Sequence, residues 1–220
     1  DRLERIEFQF VPLVGDSSEL SLIRTRASGL NPILRVSRWL SAQFNANKKD
    51  PLLEPIAAFF DQPKNVYGFE IKRDKVIHIS WMSGKRIFDH KPSQQETTAL
   101  LNAVSSYIES QHGAIQADPI LNVRLIDDQS YELMVAYPTD RNLQPNADFS
   151  VKNMIPGFLM VGEVHGGPKT IECAEQNLEF FMREHKLQSP AIPFQTLITD
   201  RSKITDTAQW ITRLNYPVFN

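Results

Sequence analysis

From Phe158 to Asp200 the chain passes from an apolar run, FLMVGEV, through a tight HGGP loop into a stretch of helical period. Ile171, Ala174, Leu178, Phe181 and Met182 recur at three- and four-residue spacing, the buried face of an amphipathic helix over residues 170–186. Pro190 and Pro193 stop it. FQTLITD (194–200) and WITRLNYPVF (210–219) then read as strands, so the unit is β-α-β-β. An earlier stretch repeats the layout. VIHISW (76–81) is a strand candidate, Leu100, Leu101, Val104, Tyr107 and Ile108 mark a helix face, and ILNVRLID (120–127) and YELMVAYP (131–138) follow. Leu100 and Ala174, Val104 and Leu178, Ile108 and Met182, and Pro119 and Pro193 all differ by 74. A shared offset of helix face and proline predicts an internal duplication.

The remaining segments follow from alternation and turn chemistry. Leu3 to Leu13 alternates apolar and polar residues, Gly15 to Ser18 supplies a turn, and Glu19 to Arg26 reads as the returning strand of a hairpin. Asn31-Pro32 starts a helix carrying Ile33, Leu34, Val36, Trp39, Leu40 and Phe44, with Asn as cap and Pro in the first turn. Leu52 to Phe60 is a second helical stretch. VYGFEI (66–71) reads as a strand, Lys72 to Lys75 as a charged turn, Ser83 to Gln95 as a polar connection, and Asp140 to Ser150 as a surface linker.

HGGPKTIECAEQNLEFFMREHKL, the following PFQTLITD and the terminal W-x-x-x-x-x-YPV resemble the GyrI-like (gyrase-inhibitor-like) effector-binding domain. The resemblance implies an α+β fold: tandem β-α-β-β repeats in a pseudo-two-fold antiparallel sheet, helices on one side, and a ligand cleft between the copies. It covers residues 61–220, with copy one at 66–139 and copy two at 150–219, and is stronger in copy two. Residues 1–60 lie outside it as a hairpin-helix extension. Their hairpin, Gly-x-Asn-Pro and helix resemble the end of START-like (polyketide-cyclase-like) domains.

Composition narrows the function classes. The 220 residues suit one large domain, or one domain with an appendage, with 41% apolar and 23% charged residues. A net charge of −2 supplies no domain-wide basic field, so nucleic-acid binding through this chain alone is not expected. The single cysteine, Cys173, excludes an intrachain disulfide. It is expected half-buried on its helix and inert. The five histidines, His78, His90, His112, His165 and His185, form no metal-ligand spacing, and neither metal nor cofactor is expected. No apolar run reaches the ~18 residues of a membrane helix. Because the sequence starts at Asp1 rather than Met, an upstream anchor, leader or fused domain is an expectation, with a cytoplasmic or membrane-anchored location.

The candidate chemistry is that of a binding pocket. Tyr137 and Tyr216 each precede the proline that closes a copy, and Trp81 sits near a strand end. Aromatic rings with polar tips suit a small-molecule site, although each is also what a core position would carry. GyrI-like pockets commonly carry an acid four positions before the last-strand proline. Here those positions hold Arg213 and Met134, which leaves Glu163 and Glu132 as acids on other strands. A buried Arg213 needs an acid such as Glu163 or an anionic ligand. Alternation along the last strand lets either Tyr216 or Arg213 face the cleft, and the family pattern favours Arg213. The expected ligand-binding set is therefore Trp81, Tyr137, Glu163, Arg213 and Tyr216, with no catalytic residue assigned. It would capture an amphipathic or aromatic small molecule, with anionic or neutral compounds preferred. A GyrI-like hydrolase using Glu163 and a protein-inhibitor or interaction module are the alternatives.

Overall fold

The computed structural model describes residues 4–13, 18–26, 31–45, 50–77, 80–127 and 129–219. It divides into two compact units, Asp1–Asp61 and Gln62–Asn220. In the first unit β1 (Glu4–Pro12) and β2 (Ser18–Arg26) form the expected hairpin, with Phe8 opposite Leu22. Most of the turn expected at residues 15–18 lies outside the described residues. Next come α1 (Pro32–Asn45) and α2 (Leu53–Phe60). The Asn31 side chain caps α1 by accepting the Ile33 N–H at 3.0 Å.

In the second unit α3 (Pro63–Tyr67) precedes β3 (Ile71–Lys75), β4 (Ser80–Phe88), α4 (Gln94–Ser110), β5 (Ile120–Leu125) and β6 (Tyr131–Pro138). Then follow β7 (Phe149–Asn153), β8 (Phe158–His165), α5 (Pro168–Glu184), β9 (Phe194–Leu197) and β10 (Ile211–Val218). The fold class is α+β. All eight strands from β3 onward join one antiparallel sheet in the order β3-β8-β10-β9-β5-β6-β4-β7.

Register makes the pseudo-symmetry concrete. Phe149, Gly84, Val135, Leu121, Gln195, Leu214, Gly162 and Ile71 form one continuous row across the sheet. A two-fold axis between Leu121 and Gln195 exchanges Gly84 with Gly162, Val135 with Leu214, and Phe149 with Ile71. The edge strands are crossed: β3, within the residues read as copy one, pairs with β8 of copy two, while β7, at the start of copy two, pairs with β4 of copy one. Paired residues point to the same side of an antiparallel ladder, so the whole row faces one way. Both helices lie on that side. Leu100, Val104 and Ile108 of α4 pack with Met82, Leu121, Leu133 and Val135, and Ala174, Leu178 and Phe181 of α5 pack with Met160, Val164, Leu214 and Tyr216.

The helices also end alike. His112 and Lys186, 74 residues apart, take left-handed φ values of 55° and 53°. The next residues close the same backbone bond, Gly113 N–H to Ile108 O at 3.0 Å and Leu187 N–H to Met182 O at 2.8 Å. Their starts differ. Ser93 makes a capping box with Glu96, whereas Gly167 offers no side-chain cap and Pro168 occupies the first turn.

Five sequence expectations need correction. Val66 and Tyr67 belong to α3, and the charged residues read as a turn form most of β3. Gly68, at φ 88°, ends the helix, and an edge strand carries Lys, Arg and Asp without cost because its outer rim meets water. The strand expected at 76–81 begins at Ser80 and runs to Phe88, so half of the polar connection is strand; residues 78–79 lie outside the described residues. There β4 is held between β6 and β7, and its polar side chains find cross-strand partners: Lys85 Nζ lies 3.0 Å from Glu132. The linker 140–150 already contains the start of β7.

Phe181 is buried beneath α5, so Phe181→Ala should lower the unfolding free energy by about 3–5 kcal/mol. Urea denaturation measures it; a loss under about 1 kcal/mol would mean that this face is not core.

Candidate functional site

Helix α4 lies chiefly over β4 and β6, and α5 over β8. The central strands β5 and β9 are therefore the floor between the helices, and Leu121 and Gln195 are its middle. From α5 the Glu175 carboxylate reaches this floor, where Gln195 Nε2 donates to Oε1 at 2.9 Å. Beside it the buried Tyr216 hydroxyl donates to Glu179 at 3.3 Å. Glu175 is half-buried and, among the described residues, has no ion pair. Burial pushes its carboxyl above the usual range; the Gln195 bond and the Lys91 charge oppose this, and Glu179 and Glu172 add to it. Burial also raises the Tyr216 phenol, helped by the Glu179 and Glu175 charges.

The pseudo-symmetry shows how one-sided this floor is. At the 74-residue offset the counterpart of Glu175 is the buried Leu101, and that of Gln195 is Leu121. One wall is acidic and hydrogen-bonding while the other is aliphatic.

The expected site residues divide between the two faces of the sheet. Tyr137 pairs with Met82, and Tyr216 with Met160, which puts both on the helix side at equivalent positions. Tyr137 is half-buried, its phenol raised by burial and then by the Asp200 charge. Trp81, Glu163 and Arg213 alternate to the other face. Trp81 is buried there with Ile120 and Ala136. Arg213 lies directly across from Glu163, yet its ion pair is with Asp74, and Glu163 Oε1 instead lies 3.2 Å from His165 Nε2. Asp74 is held low by the Lys75 backbone N–H and by Arg213. Arg213 thus does not face the floor between the helices, and the acid there comes from α5 rather than from a strand.

Sequence reading missed Glu175 because it sits beside the apolar stripe, next to Ala174. The available signal was the run Glu172, Glu175, Glu179, three acids at helical spacing along one border of the buried face. Cys173 is exposed rather than half-buried. No His, Cys, Asp and Glu group fit for a metal occurs among the described residues, and His78 lies outside them. No helix among them is long and apolar enough to cross a membrane.

No family model and no curated protein matches the chain. Among solved structures, EcmrR in its DNA complex within EcmrR-RPo shares the fold, with TM-score 0.62 at 11% identity over 87% of this chain and 73% of that one. The EcmrR C-terminal domain aligns with TM-score 0.58 at 10% identity, over 68% of this chain and 97% of the domain. An uncharacterized conserved protein from Listeria innocua gives TM-score 0.51 at 11% identity, over 67% and 91%. At such identities the likeness is one of fold. The START-like resemblance of residues 1–60 finds no support in these comparisons.

A carboxyl whose folded-state pKa is raised binds protons more tightly when folded, so its contribution to stability falls as pH rises through the window above the ordinary glutamate value. Glu175→Gln removes the charge. The variant should be more stable than the parent at neutral pH, with the difference shrinking towards pH 4, as read by urea midpoints across that range. Equal or lower stability at pH 7 would place Glu175 in a solvated setting.

Proposed function

We propose that residues 62–219 form a noncatalytic effector-binding domain of the GyrI-like kind, which captures an amphipathic or aromatic cation between α4 and α5. The reading rests on Glu175: a half-buried carboxylate, held by Gln195 and in no ion pair among the described residues, with Lys91 acting on it only from its bridge to Glu172. Leaving such a charge unpaired is costly, and a ligand ammonium or delocalised cation would compensate it. Tyr137 and Tyr216 offer rings at either end, and Leu101 and Leu121 an apolar wall. The ligand preference is then the reverse of the one inferred for Arg213, because that guanidinium is committed to Asp74 on the other face.

EcmrR occurs with DNA, and by analogy this domain would serve as the sensing part of a larger regulator or assembly. A net charge of −2 favours a fused domain or protein partner, rather than this chain, as any contact with nucleic acid. A hydrolase reading draws on the raised Glu175 carboxyl beside Tyr216, the setting of a general base. Glu175, not Glu163, would be its acid.

Ethidium and anilinonaphthalene sulfonate, compared by fluorescence titration at low salt, test the binding reading. Ethidium should bind more tightly, and Glu175→Gln should weaken it about tenfold or more, the scale of a hydrogen bond to a charged group. Binding should also fade as pH drops through the raised Glu175 range. Preference for the sulfonate, or ethidium binding that ignores Glu175→Gln, would contradict it.

A further inference from the structure

Gly84 and Gly162 occupy equivalent places in the central row, yet different groups cover them. Over Gly84 the helix itself closes down: a Cβ there would meet Val104 Cγ2 at 2.8 Å and Leu100 Cδ1 at 3.2 Å. The neighbouring edge is sealed by Phe149, whose ring lies 4.7 Å from that of Tyr107. Over Gly162 a Cβ would fall 2.3 Å from Cε2 of Phe69, a residue between α3 and β3. The equivalent of Phe149 on this side is the smaller Ile71. Phe69 is thus a wedge beneath α5, and Asn177 ties α5 to the wedge segment by donating to Tyr67 O at 3.0 Å. Beside the wedge lies a cavity of about 900 Å3 that runs between the α3–β3 segment, β8 and α5. None of Tyr137, Glu175, Gln195 or Tyr216 lines it, so it is separate from the floor between the helices.

The charges on its wall are unbalanced. Its three carboxylates are all engaged: Glu70 with Lys72 at 2.7 Å, Asp74 with Arg213, and Glu163 with His165. Two of its cations, Lys64 and Arg73, have no ion pair among the described residues, Lys64 acting on Glu70 only at longer range than Lys72 does; the Arg73 guanidinium stacks 4.0 Å from the Phe158 ring centroid. Apolar surface from Phe69, Val164 and Ala174 completes the wall. A cavity with spare positive charge and an aromatic side favours a small amphipathic anion.

We propose that this lateral cavity is a second small-molecule site, which takes an aromatic carboxylate or sulfonate with its anionic group towards Lys64 and Arg73. The site does not depend on the cation reading of the inter-helix floor. Its occupant would touch the outer side of α5, the helix whose inner side carries Glu175.

The chain's one cysteine provides the assay, since the exposed Cys173 lines this cavity. The rate of Cys173 alkylation by iodoacetamide is measured with naphthalene-2-sulfonate and with the shape-matched 2-naphthylmethylammonium, at low salt. At about three times its Kd the sulfonate should slow alkylation about fourfold, in proportion to the free fraction. The ammonium should leave the rate unchanged. Lys64→Gln combined with Arg73→Gln should abolish sulfonate protection while thermal unfolding and unliganded alkylation stay at parental values, and Glu175→Gln should preserve it. Equal protection by both compounds, no protection by the sulfonate, or protection that survives the double substitution would overturn the proposal.

Discussion

Two residue pairs join the halves of the sheet: Ile120 with Thr196 and Leu121 with Gln195. Every other ladder in the second unit lies within one half or at its edge. The short seam is supplemented by Leu197 N–H donating to Pro119 O at 2.9 Å and by Asn122 donating to Pro193 O at 2.9 Å. The two prolines, 74 residues apart, sit at equivalent points where each central strand begins. A proline cannot donate to a ladder, so each halts pairing there and keeps β9 short. The seam fixes the two helices at either side of a narrow floor, and the candidate binding chemistry depends on that spacing.

The scaffold is nearly symmetric, and its departures from symmetry are where chemistry enters. Glu175 stands opposite Leu101, Gln195 opposite Leu121, and the Phe69 wedge opposite a helix resting directly on glycine. Two identical halves would give a floor with matched walls. The exchanged residues give an acidic wall facing an aliphatic one, and over Gly162 they insert a ring between α5 and the strand. Tyr67 extends the same wedge: its hydroxyl donates to Glu184 near the end of α5, and burial with that carboxylate raises the phenol to about 12. The α3 segment is thereby tied to the helix that carries Glu175.

Much of this was legible in the sequence. Apolar periodicity located both helices, and the common offset of 74 foretold equivalent faces, because buried stripes and strand-starting prolines are set by the fold itself. The edge strands were not legible. IKRDK has no alternation to read, since an edge strand is satisfied by one neighbour and water. Nor was the stretch 83–88 of β4, where Lys85 pairs with Glu132 across strands rather than standing in a loop. The expected site residues fall on both faces of the sheet for a related reason. Which of Arg213 and Tyr216 faces the helices is a question of parity, settled only by register, and it comes out for Tyr216. Glu175 escaped because a row of acids bordering a buried stripe reads as surface until the strand partner of its middle member, Gln195, is known.

On the proposed reading, ligand chemistry resides on the helix side of the β5–β9 seam and is organised by Glu175. A crystal structure of the protein soaked with ethidium tests it most directly. The account predicts the dye's aromatic plane between α4 and α5, over Leu121, with its charged ring system within about 4 Å of the Glu175 carboxylate, the span of a close charge contact. Ordered dye confined to the opposite face, beside Trp81 and Arg213, would contradict it.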